Sequence, residues 1–323
     1  MLATLIKMTR PVNIVIAVVT LFIGLFLIDQ LPEINSIPIL PKINFVSPIL
    51  LSLGFAFAIG FGNIQNDVLD FESDKLNRPE RPLPSGKISL KAAKFSWISM
   101  MVLTIICGIA DSCICYFNYN TTGTKILIPA IFFIALALLL IAYNKKLKHI
   151  PLLKNMTVAF LCMTPLILTL IYPYPSEYLE TDINGEELSN ILGFIHPYIF
   201  YKLLPAMMFA FLLTTSREIY KDLEDETGDL KAGIMTFPLI AGAPTARRFA
   251  GALLLFTWIL LPFPVMRGFY PILFLIISAS TLTPAFIYIL LQAKRQNYHK
   301  AQGMVKIAMF AGLIALVVSE ISL

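Results

Sequence analysis

Stretches of about twenty apolar residues recur along this chain, and a helix of that length crosses the hydrocarbon core of a bilayer. Inside lipid a backbone must satisfy its own hydrogen bonds, which a helix does within a single segment. Nine such stretches are read, at roughly 11–29, 46–65, 93–116, 125–143, 151–172, 197–216, 248–266, 269–291 and 303–321. With 57% hydrophobic and 14% charged residues and a mean hydropathy of +0.77, the chain is far too apolar for a water-soluble globular domain. The expectation is an all-α, polytopic membrane protein with nine transmembrane helices in a single membrane-embedded domain over residues 1–323. Met1 to Arg10 run straight into the first apolar stretch without a small-residue cleavage site, so no removable leader is expected.

Basic residues set the expected orientation. Only Lys42, Lys125, Lys202 and Arg267 of the 25 lysines and arginines fall on one side of the nine-span arrangement. The rest gather in the N-terminal segment and the loops 66–94, 144–154, 217–248 and 292–306. The positive-inside bias then puts the N-terminus and those loops in the cytoplasm and the C-terminus outside, in the cell (inner) membrane. The loop 173–196, rich in Glu177, Glu180, Asp182, Glu186 and Glu187, is expected outside as a solvated connection. Cys107, Cys113, Cys115 and Cys162 lack metal-ligand spacing and are read as apolar fillers.

Two acidic clusters break the apolar pattern. The first is Asn66-Asp67-Val68-Leu69-Asp70-Phe71-Glu72-Ser73-Asp74, and the second lies within Arg217 to Asp229. Each follows an apolar stretch, where a carboxylate is costly unless it holds something positive. Asn66, Asp70 and Asp74 recur at intervals of four, and on a helix prolonging the second span they share one face. Glu218, Asp222, Asp225 and Asp229 form a second stripe. Ion pairing with Lys75, Arg78, Lys221 or Lys231 is the structural alternative. An oxygen-only set of short carboxylates, with no histidine among them, suits Mg²⁺, which keeps waters and shares its shell with substrate phosphates. It does not suit zinc. One cluster follows the second span and the other the sixth, so an internal repeat is expected. Two four-helix units, about 1–150 and 151–292, would be followed by a last helix at about 303–321. A glycine stretch follows each cluster, Pro84-Ser85-Gly86-Lys87 and Lys231-Ala232-Gly233.

At this point the residues resemble a family. Asn66-Asp67-x-x-Asp70-x-x-x-Asp74, followed by Asn77-Arg78-Pro79-x-Arg81-Pro82-x-Pro84-Ser85-Gly86, is similar to the first signature of the UbiA-type intramembrane prenyltransferases. Asp222-x-x-Asp225-x-x-x-Asp229 resembles their second. The resemblance implies two Mg²⁺ ions that bind the diphosphate of a polyprenyl donor, so that an allylic carbocation forms and an acceptor captures it. It implies Asp70, Asp74, Asp225 and Asp229 as the catalytic metal ligands, with Asn66 and Asp222 as further ligands or their partners. Arg10, Lys148, Arg78 and Asn66 are the implied diphosphate-binding residues, with Arg81 a weaker one. Asp67 is out of phase with its stripe and is set aside. Asn144 stands where the family commonly has serine.

The acceptor is read from the second motif. Arg217 to Gly233, with Thr236 and Pro238, resembles the branch that makes digeranylgeranylglyceryl phosphate, as does Leu147-Lys148-x-Ile150-Pro151 through Asn155. The implied reaction is transfer of a geranylgeranyl group to geranylgeranylglyceryl phosphate. An aromatic acceptor of the 4-hydroxybenzoate, homogentisate or naphthoate type, as in quinone synthesis, is the alternative. A membrane transporter is the remote one, and nucleic acid is no partner. Asp111 and Glu320 are the remaining span acids, both placed near outer ends.

Overall fold

The computed structural model describes residues 2–29, 45–118, 124–173, 197–231 and 233–321. The acidic stretch 174–196 lies outside them, as does Lys42. Every regular element among the described residues is helical. The elements are α1 (Leu2–Met8), α2 (Pro11–Asp29), α3 (Val46–Leu69), α4 (Phe71–Asn77), α5 (Leu90–Asn118), α6 (Ile128–Lys145), α7 (Leu153–Ile171) and α8 (Pro197–Lys231). Then follow α9 (Phe237–Ala241), α10 (Ala243–Leu260), α11 (Phe263–Met266), α12 (Ile272–Lys294) and α13 (Tyr298–Ile321). The chain is a multi-pass, all-α membrane protein. Eight segments among the described residues are long and apolar enough to cross a membrane. They answer eight of the nine expected spans. The expected span 197–216 lies in α8, which is not among the eight and which carries on into the charged second motif.

Large apolar side chains stay exposed along these helices, such as Val12 and Val15 on α2, Ile131 and Leu138 on α6, and Ile272 and Ile276 on α12. In water that surface would be a liability, and against lipid it is the expected outer face. The chain divides into two compact units, one of residues 1–145 and 165–200, the other of 146–164 and 201–323.

In the first unit α3 packs against α2, α5 and α6. Asn144, at the end of α6, donates to the Gly62 carbonyl at 2.9 Å and to Gln65 Oε1 at 2.9 Å. It ties α6 to α3 one residue before the first acidic motif, and Asn144 and Gln65 are both buried. Beyond the apolar layer, Met8 of α1, Ile64 of α3, and Leu83, Ile88 and Ala93 form a small core that seats the loop after α4. Burying a leucine or isoleucine contributes roughly 1.5–3 kcal/mol. Leu83 and Ile88, both buried, therefore anchor this proline-rich loop against α1 and α3.

In the second unit α12 packs along α13, and α10 packs on α9 and α12. Lys202 of α8 donates to both carboxylate oxygens of Glu320 on α13 at 2.8 Å, and to the Phe269 carbonyl at 3.0 Å. Glu320 is 2% exposed. Tyr270 donates from its hydroxyl to the Lys202 carbonyl at 2.9 Å, which fixes the lysine from behind. Breaking such a buried pair by removing one partner leaves an uncompensated charge. Lys202→Met is expected to lower stability by about 3–5 kcal/mol, read as a fall in Tm of the detergent-solubilised protein. Lys202→Met/Glu320→Gln should recover part of the loss. An unchanged Tm for the single variant would show that the pair does not hold α8 to α13.

Candidate active site

In the first unit the helix does prolong the second span, with one departure from the expected continuous stripe. α3 ends at Leu69 and α4 begins at Phe71, while Asp70 between them has φ −88° and ψ 6°. The backbone hydrogen bonds carry on across the joint, from Asp70 N to the Asn66 carbonyl, Asp74 N to the Asp70 carbonyl and Arg78 N to the Asp74 carbonyl. The three motif residues therefore keep near-helical spacing through a kink. Asn66 Nδ2 donates to Asp70 Oδ2 at 2.9 Å and orients that carboxylate. Asp74 is buried and accepts from Arg81 Nη1 at 2.7 Å. Arg78 is exposed at the end of α4.

Asp67, out of phase with the stripe, has its own place. Its Oδ1 is 3.9 Å from Arg10 and 3.8 Å from Arg81. Arg81 thus bridges Asp67 and Asp74, and Arg10 stands on the other side of Asp67. Lys7, Met8, Arg10, Asp67, Arg81 and Pro82 line a cavity of about 160 Å³. Arg10 adopts φ +56°, a left-handed conformation uncommon outside glycine. It caps the end of α1, its N–H on the Lys7 carbonyl, and Pro11 starts α2 directly after it. The reversal aims the chain so that Arg10 returns to α3, and Asn63 Nδ2 holds the Thr9 carbonyl at 3.2 Å.

In the second unit α8 carries the whole second motif without interruption. Asp222 is 3% exposed, and both its oxygens are engaged. Lys154 Nζ donates to Oδ1 at 2.7 Å and Asn155 Nδ2 to Oδ2 at 2.8 Å. Asp225 and Asp229 follow on the same face and are half-buried. Burial raises the Asp229 carboxyl above the ordinary aspartate range, Lys154 opposes that, and the carboxylates of Asp222 and Asp225 add to it. A carboxyl raised by neighbouring carboxylates is one that a cation would stabilise in its ionised form. Glu218 is buried and paired with Arg217, which satisfies it within α8. Lys148 and His149 lie on a short 3-10 turn after α6, Lys148 half-buried and His149 exposed.

Both motifs close on a glycine in the left-handed region. Gly86 has φ +73° and Gly233 φ +68°. A Cβ at either position would meet nothing within 4 Å, so the demand is on backbone conformation rather than space. Three residues join the site that the acid spacing did not identify. Lys154 and Asn155 clamp Asp222, and their signal was their adjacency at the start of α7. Asp67 was discarded on helical phase, which does not register that a side chain between two stripes reaches basic residues from other segments.

The donor set fits a magnesium–diphosphate group. All of it is oxygen, the carboxylates are short, and arginines stand beside them. No three of His, Cys, Asp and Glu among the described residues form a closed cage. Mg²⁺ commonly takes one or two carboxylates together with waters and substrate phosphates.

These features define a helical membrane protein whose apolar segments continue into acid-bearing stripes braced by arginine, lysine and asparagine. The chain belongs to the UbiA prenyltransferase family, which it matches over residues 37–314. It is therefore a prenyltransferase, as the two motifs led us to expect. It is 30% identical to the digeranylgeranylglyceryl phosphate synthase of Methanobrevibacter smithii over 312 residues, 97% of this chain and 95% of the relative. It is 33% identical to the synthase of that name from Methanosphaera stadtmanae over 270 residues, 83% and 85% of the two chains. Among solved structures, one of a digeranylgeranylglyceryl phosphate synthase is similar with a TM-score of 0.68 at 23% identity, covering 100% of this chain and 99% of the other. A UbiA homologue from Archaeoglobus fulgidus bound to GPP and Mg²⁺ gives a TM-score of 0.60 at 16% identity, covering 97% and 99%. The structural likenesses bear out the all-helical fold.

The Asp222 clamp is directly testable. Lys154→Met should destabilise the protein by about 3–5 kcal/mol, because it strands a buried carboxylate. Lys154→Met/Asp222→Asn should lose less than the single variant. Strictly additive losses in a double-mutant cycle of Tm would sink the interaction.

Proposed function

We propose that the protein transfers a geranylgeranyl group from its diphosphate to geranylgeranylglyceryl phosphate, giving digeranylgeranylglyceryl phosphate, with Mg²⁺ as cofactor. The observation that carries this reading is the near full-length similarity to synthases named for that product, together with both acidic motifs on this chain. The structural relative with GPP and Mg²⁺ bound supports the donor and the ion.

Asp70, Asp74, Asp225 and Asp229 are the proposed metal ligands. Asn66 and Asp222 support them, Asn66 by its hydrogen bond to Asp70, and Asp222 through the buried Lys154 and Asn155 contacts. We assign two ions, one for each acidic motif. Bound there, the metal would neutralise charge that develops on the leaving diphosphate. Arg10, Arg78 and Lys148 are the proposed direct diphosphate contacts. Arg81 joins them through its place beside Asp74 and the cavity bordered by Lys7 and Arg10. Cations positioned for charge that grows in the transition state contribute more to rate than to ground-state binding.

In the reaction the carbon–oxygen bond to the diphosphate breaks and leaves an allylic cation. The free hydroxyl oxygen of the glycerol attacks its terminal carbon and forms an ether bond. The hydroxyl proton passes to the departing diphosphate. Among the described residues no histidine is placed to take it: His149 is exposed, and His299 contacts Glu224 at 2.8 Å. Apolar surroundings would protect the cation from water.

The basic bias places the N-terminus and both acidic motifs in the cytoplasm. If α8 spans as well, the C-terminus is outside. We also read the two motifs as an internal repeat, each following a long apolar helix and each closed by a left-handed glycine.

An acceptor screen tests the reading. Purified protein given geranylgeranyl diphosphate should convert geranylgeranylglyceryl phosphate and leave 4-hydroxybenzoate and homogentisate unprenylated. Conversion of an aromatic acid instead would overturn the lipid acceptor. Asp70→Ala and Asp225→Ala should each reduce turnover by at least about a hundredfold, with the variants still folded in detergent. Chelation should stop the reaction and added Mg²⁺ restore it; full turnover in excess chelator would remove the metal from the mechanism.

A further inference from the structure

A second basic site lies in the second unit, on the side of α8 away from the acidic stripe. Arg247 and Arg248 stand on α10 one turn before Gly251, and Lys294 ends α12. Together they border an open groove of about 270 Å³. None of the three is paired with a carboxylate among the described residues. The floor is Tyr220 of α8, fully buried, with its hydroxyl lacking a hydrogen-bond partner among those residues. Gly251 keeps the floor open. A Cβ there would stand 3.1 Å from Leu290 Cδ2 and 3.8 Å from the Tyr220 hydroxyl.

Away from the cations the groove becomes apolar. Ala252 and Leu255 of α10 and Leu290 of α12 line it. Leu255 is 49% exposed, and Ile259, one turn further, is 64% exposed. A cationic head above an apolar trough complements a molecule with a phosphate at one end and a hydrocarbon chain at the other. Arginine suits the phosphate by its planar fork of donors, and clustered basic side chains at a membrane margin attract anionic headgroups.

The groove is separate from the acidic stripe. Tyr220 and Asp222 are two residues apart, about 200° around the helix axis. Asp222 is held by Lys154 and Asn155 of α7, while Tyr220 underlies Gly251 of α10.

We propose that this groove is the headgroup site of an anionic phospholipid of the surrounding bilayer. Arg247, Arg248 and Lys294 hold its phosphate, and its chain lies along α10 and α12. The test uses the full-length protein, delipidated in detergent and titrated with phosphatidylglycerol, with phosphatidylcholine of the same chains, or with inorganic phosphate. Lipid adducts are counted by native mass spectrometry and stabilisation is read as Tm. Phosphatidylglycerol should bind and raise Tm, phosphatidylcholine and inorganic phosphate should do so far less. Arg247→Gln/Arg248→Gln should weaken phosphatidylglycerol binding by at least about tenfold. Ala252→Trp keeps all three cations but fills the trough at an exposed position, and it should weaken binding too. Equal binding of the two lipids, or undiminished binding by both variants, would overturn the proposal. Full stabilisation by inorganic phosphate alone would overturn it as well, since the trough would then hold nothing. Should the arginine variant fail to fold, the contrast between the lipids and Ala252→Trp still decides the matter.

Discussion

A carboxylate withdrawn from water costs several kcal/mol unless a cation or a set of donors replaces its hydration, and that constraint organises the polar parts of this protein. Asp74 is buried against Arg81, Asp222 against Lys154 and Asn155, Glu218 against Arg217, and Glu320 against Lys202. Apart from Arg217, the neighbour of Glu218 on α8, each partner comes from a place the local chain must be shaped to deliver. Arg81 is on a proline-rich loop pinned by Leu83 and Ile88. Lys154 and Asn155 open α7, and Lys202 is held from behind by Tyr270. Asp225 and Asp229 carry no comparable clamp in the hydrogen bonds described, and Asp229 is held above the ordinary carboxylate range. On α8 the clamped Asp222 thus differs from Asp225 and Asp229, the two acids of that helix proposed as metal ligands.

The same constraint explains why the helices outrun the apolar layer. α8 runs for 35 residues, so its far end leaves lipid-compatible sequence and presents acids at helical spacing. α3 achieves this differently, by a kink at Asp70 and the short α4. A left-handed glycine follows each, Gly233 just past the end of α8 and Gly86 in the loop nine residues beyond the end of α4. Glycine takes that backbone conformation without strain, so the chain can turn there.

Much of this was legible in the sequence. Apolar length alone gave helices and membrane, because lipid removes every alternative partner for the backbone. Eight expected spans coincide with apolar helices, and the sixth falls in α8, which joins its apolar start to a charged continuation. The acid spacing, with the prolines and arginines after it, led to the prenyltransferase family. Less was legible where a residue's role depends on another segment. Asp67 is off its stripe by phase, yet Arg10 and Arg81 converge on it from α1's end and the loop after α4. Asn144 read only as a departure from a common serine, whereas it holds Gly62 and Gln65. Nothing in the sequence tied Lys154 and Asn155 to Asp222, since that clamp is a contact across 67 or 68 positions of chain.

Helix α8 carries the two proposed sites on opposite faces. Its period of 3.6 residues sends Asp222, Asp225 and Asp229 to one face and Tyr220 to nearly the opposite one. The first face is held by a lysine and an asparagine, which fix Asp222 in place. The second rests under Gly251, where the absence of a side chain exposes a basic-headed, apolar groove. An anion drawn to one proposed site would therefore not compete for the cations of the other. A phospholipid seated over Tyr220 would brace α8 against α10 and α12, and with it the backbone on which the acids ride. Bilayer composition and turnover would then be coupled through packing of a single helix, with no contact between the lipid and the reacting groups.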